Sequence, residues 1–132
     1  MEEKHNEATL LRPRGNRTMD AALVTIDLPS FIKQIRQEST WKESDRNSIT
    51  VFKTNGLRIV VIALHKGAQM TRYITDGHIS ILVLKGKIQV QTDLQSVKLK
   101  SGQMLALHKY IPLRIDAKKE STLLLTLTTT LK

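Results

Sequence analysis

Residues 64–90 read LHKGAQMTRYITDGHISILVLKGKIQV. Within this stretch Ile79, Ile81 and Val83 occupy every second position, and so do Ile88 and Val90, with Lys87 and Gln89 between them. A period of two is that of a strand with one buried face, because successive side chains leave a pleated chain on opposite sides. Gly86 separates the two runs and marks a turn, as Asp76-Gly77 does before them. The stretch therefore reads as strand, turn, strand.

The same rhythm extends outward in both directions. Ile49–Lys53 and Leu57–Leu64 flank Thr54-Asn55-Gly56, and Asn-Gly is a strong hairpin signal. Downstream, Ser96–Lys100, Met104–His108, Leu113–Asp116 and Ser121–Thr129 read as strands, separated by Thr92-Asp93, Ser101-Gly102 and Pro112. Many short strands with no room for helices between them define an all-β barrel or sandwich and exclude a parallel α/β sheet.

Upstream the period changes. Leu28, Phe31, Ile32 and Ile35 stand at i, i+3, i+4 and i+7, with Lys33, Gln34, Arg36 and Gln37 opposite, which predicts one amphipathic helix. Asp27 is its expected N-cap, Pro29 is tolerated in the first turn, and the helix should end before Trp41, a packing residue. Residues 21–26 (AALVTI) predict a short strand. Residues 1–20 are polar and aperiodic, as expected of a disordered tail. The chain thus divides into a tail at 1–20, a strand-helix-loop extension at 21–47 and a barrel at 48–132.

Composition narrows the function. The 132 residues fit one domain, and 40% hydrophobic with 25% charged residues is ordinary for a soluble protein. There is no cysteine, hence no disulfide, thiolate ligand or thiol nucleophile. No secretory h-region and no apolar run long enough for a bilayer is present, so a cytoplasmic protein with no membrane partner is expected. The net charge is +9, and because residues 1–20 cancel internally the excess lies on the folded part. Its bases read as scattered, aromatics are only 4%, and no helix-turn-helix segment exists. A solubilising basic surface with a weak preference for anions is expected, and no nucleic-acid partner.

The spacing of the glycines carries a family resemblance. Gly67, Tyr73, Thr75, Ile79 and Gly86 keep every gap of the first motif of the cupin superfamily. Gly102, His108, Tyr110, Leu113 and Ala117 keep those of the second, within KLKSGQMLALHKYIPLRIDA at 98–117. The chain thus resembles a small single-domain cupin over residues 48–130. The resemblance implies a double-stranded β-helix, a jelly-roll-like barrel, with the helix packed outside. It also implies a divalent metal held by two His and a Glu of the first motif and a His of the second. Here those four places hold Tyr73, Thr75, Ile79 and Leu113, which lack the imidazole and carboxylate donors that such an ion needs. No metal and no other cofactor is expected. The remaining histidines, His5, His65, His78 and His108, show no paired spacing and read as surface or rim residues.

Three functions are compatible with these residues. The first is a metal-free binding or regulatory module whose pocket uses Tyr73, Thr75, Ile79, Ile81, Met104, His108 and Leu113 to hold a small apolar or weakly anionic molecule, the null case being that the same side chains fill the core. The second is an enzyme: some cupins that this chain resembles are metal-independent epimerases with a histidine base and a tyrosine acid, which would here be His108 and Tyr73. No carboxylate is evidently placed to orient His108, so no catalytic residue is assigned. The third is a structural module that acts through a homodimer surface, as many small cupins form, with the apolar 21–35 segment as the contact.

Overall fold

The computed structural model describes residues 5–6, 17–18 and 21–129. Near the start, β1 (His5–Asn6) pairs antiparallel with β2 (Arg17–Thr18). The expectation of a disordered tail otherwise falls outside the described residues. No strand forms at 21–26; that segment joins no sheet, and its Ile26 instead packs into the layer beneath the helices.

Two helices follow. α1 (Leu28–Gln37) has Asp27 at its N-cap and buries Ile35 completely; the one-turn α2 (Ser39–Glu43) buries Trp41. The Asp27 carboxylate accepts from the Ser30 hydroxyl at 2.8 Å and makes no cap bond to a backbone N–H. Leu28, Phe31, Ile32, Ile35 and Trp41 lie on Ile49, Val51, Val61 and Ala63, the outer face of the first two barrel strands. Burying one such side chain contributes about 2–3 kcal/mol. Much of the apolar face of 21–35 is thus packed within the chain, while Leu23 stays exposed. Asn47 fixes the docking: its amide donates to Ile35 O at 3.0 Å and to Glu38 Oε1 at 2.8 Å.

The barrel is made of two antiparallel sheets. β3 (Arg46–Thr54), β4 (Leu57–Leu64), β6 (Ile79–Lys85), β9 (Met104–Leu107) and β11 (Ser121–Thr128) form one, in the order β3-β4-β11-β6-β9. β5 (Gln69–Tyr73), β7 (Lys87–Gln91), β8 (Ser96–Lys100) and β10 (Leu113–Ala117) form the other, in the order β5-β10-β7-β8. The β3–β4 hairpin turns at Asn55-Gly56, with Thr54 opposite Leu57 and Gly56 at φ 115°. Gly86 is the single residue between β6 and β7, which lie in different sheets. Its φ is 103°, and a Cβ there would lie 2.3 Å from Ser121 Oγ and 2.5 Å from Glu120 O, so only glycine fits.

Alternation decides the core. Val60, Ile62 and Leu64 of β4 point into the barrel, while Val61 and Ala63 point out beneath α1. A strand covered on both faces reads as a continuous apolar run, as residues 59–64 do. Inside, Ile79, Ile81, Val83, Ile88, Val90, Leu113, Ile115, Leu123 and Leu125 form one buried cluster. β5 has no counterpart in the sequence reading. Met70 and Tyr73 both pack on that cluster although three residues apart, because the register with β10 shifts between Leu113 and Ile115. This irregularity hides the strand from a search for period two.

Candidate functional site

Ile79, Ile81 and Leu113 are 2%, 0% and 2% exposed and belong to the barrel core. They fill the interior that the pocket expectation left for a ligand. Tyr73 packs half-buried at the edge of this core, opposite Leu113 across the β5–β10 ladder. Burial pushes its phenol above the usual value, partly offset by Arg58. Thr75 uses its hydroxyl locally: Oγ1 donates to Gly77 O at 2.9 Å and accepts from Gly77 N at 3.3 Å. That turn occupies the Thr75 hydroxyl.

Met104 is corrected outright, being 57% exposed on the outer side of β9. The ladder explains why: Leu107 pairs with Ile79 and Leu105 with Ile81, and residues directly opposite share a face. Leu105 and Leu107 therefore point inward, and Met104 and Ala106 outward. His108 is exposed at the rim, its ring 5.4 Å from that of His78 in an edge-to-face contact. Among the described residues no hydrogen bond joins His108 to Tyr73, so the pair proposed for acid–base chemistry is not assembled. His65 is no rim residue: it lies at the other end of the barrel, stacked on Trp41 at 3.5 Å, and its Nε2–H donates to Trp41 O at 2.8 Å.

The rim itself is made by the turns around Gly56, 74–78, 92–95 and 108–112. The Tyr110 N–H donates to Thr75 O at 2.9 Å, and the Thr128 N–H to His78 O at 2.9 Å, tying these turns together. Tyr110 stands where the second motif has glycine. It has φ 63°, the one positive φ outside glycine among the described residues, and its ring is 60% exposed with the Lys109 ammonium 5.8 Å from the centroid. The backbone thus keeps the glycine conformation under a residue with a Cβ.

Two clefts open beside the 92–95 turn. One of about 410 Å³ lies on the outer side of the four-stranded sheet, between Thr71, Gln91, Asp93, Pro112 and Arg114. The other, of about 110 Å³, lies where the edge strands β8 and β9 face each other without pairing. Its walls include Val90, Leu94, Val97, Leu105 and Leu107. Val90 is a core residue, and Val97, Leu105 and Leu107 pack against the same core, so this cleft leads into the barrel. Sequence reasoning chose Met104 and missed these residues; pairing Leu105 with the inward Ile81 was the signal available.

The four positions at which a cupin holds its ion do not fit one here. Ile79 and Leu113 offer only hydrocarbon and are packed in the core, and Thr75 is committed to its own turn. Among the described residues no group of three or more His, Asp or Glu is arranged to hold a metal, and no helix is long and apolar enough to cross a membrane. Two sheets in this order, the glycine frame and the helical layer outside define a cupin-superfamily fold with hydrocarbon in place of two metal ligands.

No family model and no curated protein matches the chain. Solved structures do. A protein of unknown function from Streptococcus pyogenes superposes with a TM-score of 0.65 at 22% identity, over 86% of this chain and 93% of that one. A cupin superfamily protein from Desulfitobacterium hafniense gives 0.63 at 16% identity, over 64% and 78%. An RmlC-like cupin from Shewanella frigidimarina gives 0.61 at 16%, over 65% and 78%. At such identities the likeness establishes the cupin fold and leaves activity open.

Proposed function

We propose that this chain is a metal-independent cupin that serves in the cytoplasm as a binding or regulatory module for a small, largely apolar molecule. The observation that carries the reading is the cleft of about 110 Å³ between β8 and β9, walled by Leu94, Val97, Leu105 and Leu107 and continuous with the core. Pockets of this kind, mostly apolar with a few polar groups at the mouth, are where small molecules bind. Gln95 and Thr92 supply the polar groups. The volume is below the ~150 Å³ of an apolar cavity that admits benzene, so the occupant is a short aliphatic chain or a comparably small group.

The test is thermal unfolding with a series of straight-chain carboxylates and alcohols of about three to eight carbons. A ligand at about ten times its Kd stabilises the folded state by ~1.4 kcal/mol. At least one member should raise Tm saturably, and Leu105→Phe, which fills the cleft, should abolish the response while remaining folded. A series without any shift, or a Leu105→Phe protein that responds like the wild type, refutes the reading.

A further inference from the structure

The lysines that look scattered along the sequence are gathered by the topology. The end of the barrel opposite the rim is closed by the turns at 65–68, 85–87, 100–103 and 117–120. Lys66, Lys85, Lys87, Lys100, Lys118 and Lys119 lie in or beside these turns, and Lys98 stands one outward position further along β8. Hydrogen bonds hold the turns together. The Gly67 N–H donates to Ala117 O at 2.8 Å, the Lys118 N–H to Lys87 O at 2.9 Å, and the Gly86 N–H to Ser101 Oγ at 3.1 Å. In the β7–β8 ladder Lys87 is directly opposite Lys100.

Six of the seven are exposed and Lys87 is half-buried; none is in an ion pair among the described residues. The carboxylates on the same part of the chain are engaged elsewhere. Asp116 is held by Arg114 at 3.2 Å, and Glu120 by Arg36 at 3.4 Å with His65 at 3.7 Å. On the helix side Asp45 is held by Arg46 at 2.9 Å. Like charges directly opposite each other weaken a strand pair, so this arrangement costs stability. Lysine on an open edge strand discourages pairing with another chain, which accounts for Lys98 and Lys100. The five lysines of the other turns have no such role.

We propose that this end of the barrel binds the phosphate backbone of duplex nucleic acid without reading its sequence. A lysine ammonium is a point charge suited to phosphate oxygens, and backbone contacts carry affinity and no base information. A duplex presents one charge about every 1.7 Å of its axis. Lysines about 5–7 Å apart on neighbouring and alternate sheet positions therefore meet several phosphates at once. The neighbouring outward residues on the sheet are Gln89, Ser96, Ser101 and Gln103, and the one ring in these turns, His65, is already stacked on Trp41 at 3.5 Å, which leaves little for unpaired bases to stack on. Met104 is the exposed large apolar side chain beside these turns, too little to anchor the protein in a bilayer or to centre a protein interface.

Fluorescence anisotropy of the full chain with a labelled mixed-sequence duplex DNA of about 20 base pairs tests this at several salt concentrations. About five phosphate contacts give a slope of about −4.5 in log K against log salt, a weakening of about 500-fold between 50 and 200 mM. Lys85→Gln/Lys118→Gln/Lys119→Gln should reduce that slope by about 2.7. Lys53→Gln/Arg58→Gln/Lys109→Gln, with the same change in net charge at the rim, should leave it unaltered. No binding to the duplex, equal losses in the two triple variants, or binding to vesicles of anionic phospholipid in place of the duplex overturns the proposal.

Discussion

Tyr110 offers a test in which a usual rule of substitution changes sign. At an ordinary position glycine is less stable than alanine by roughly 0.4–1 kcal/mol, because it leaves the unfolded chain more conformational freedom to lose. Tyr110 sits at φ 63°, where any residue with a Cβ is strained by about 1–2 kcal/mol. Tyr110→Ala keeps this strain, whereas Tyr110→Gly releases it. Both variants lose the same exposed ring and its contact with Lys109, so those contributions cancel. Both keep the N–H that donates to Thr75 O. The difference leaves the glycine variant the more stable by about 0.7 kcal/mol, or about 2–3 °C in Tm for a domain of this size. Urea unfolding followed by the fluorescence of Trp41, the single tryptophan, measures it, since that ring is buried in the helical layer far from the substitution. An alanine variant as stable as the glycine variant, or more so, would show that Tyr110 is unstrained and that the glycine frame of the second motif is not kept at this position.

Two other substitutions address the core and the site. The Thr122 hydroxyl is buried without a hydrogen-bond partner among the described residues, so Thr122→Val should stabilise by about 1 kcal/mol, read as a higher urea midpoint; a lower midpoint would mean the hydroxyl is satisfied. The Tyr73 phenol is raised by burial, so from about pH 10 upward the unfolded chain releases a proton that the folded protein still holds, and stability falls with rising pH until the folded phenol also ionises. Tyr73→Phe lacks this component, and its urea midpoint should decline less between about pH 9 and pH 11; equal declines would place the phenol in water.

How much of this was legible in the sequence depended on whether a residue's direction follows from its own strand. Ile79, Ile81 and Val83 alternate within one regular strand, and the sequence places them on one face as the barrel does. The Gly67–Gly86 frame was readable because it rests on backbone turns that spacing alone records. β5 was not, since its register shift makes Met70 and Tyr73 neighbours on one face at an odd separation. Met104 was misplaced because every residue of Met-Leu-Ala-Leu is apolar, and only the pairing with β6 decides which two point inward. The expected strand at 21–26 does not form, and its Ile26 packs into the helical layer instead. The lysines appeared dispersed because the four turns that carry them are separated by tens of residues and meet only after the sheets close.

The two sheets are not joined alike along their two open sides. Between β3 and β5 the Arg46 guanidinium reaches across to the Gln69 carbonyl, whereas between β8 and β9 the small cleft intervenes. Among the described residues no ladder joins β8 to β9, and the Lys100 N–H at the end of β8 is met by Gln103 Oε1 at 2.9 Å. β8 and β9 are nonetheless tied at one end by the 101–103 turn, where the Gly102 N–H donates to Val83 O at 2.8 Å and the Val83 N–H to Gln103 O at 2.9 Å. The strands β4, β11 and β6, by contrast, are paired on both sides. Local opening is therefore easiest at the ends of β8 and β9 beside the cleft, and amide exchange there should outpace that of β4 and β11.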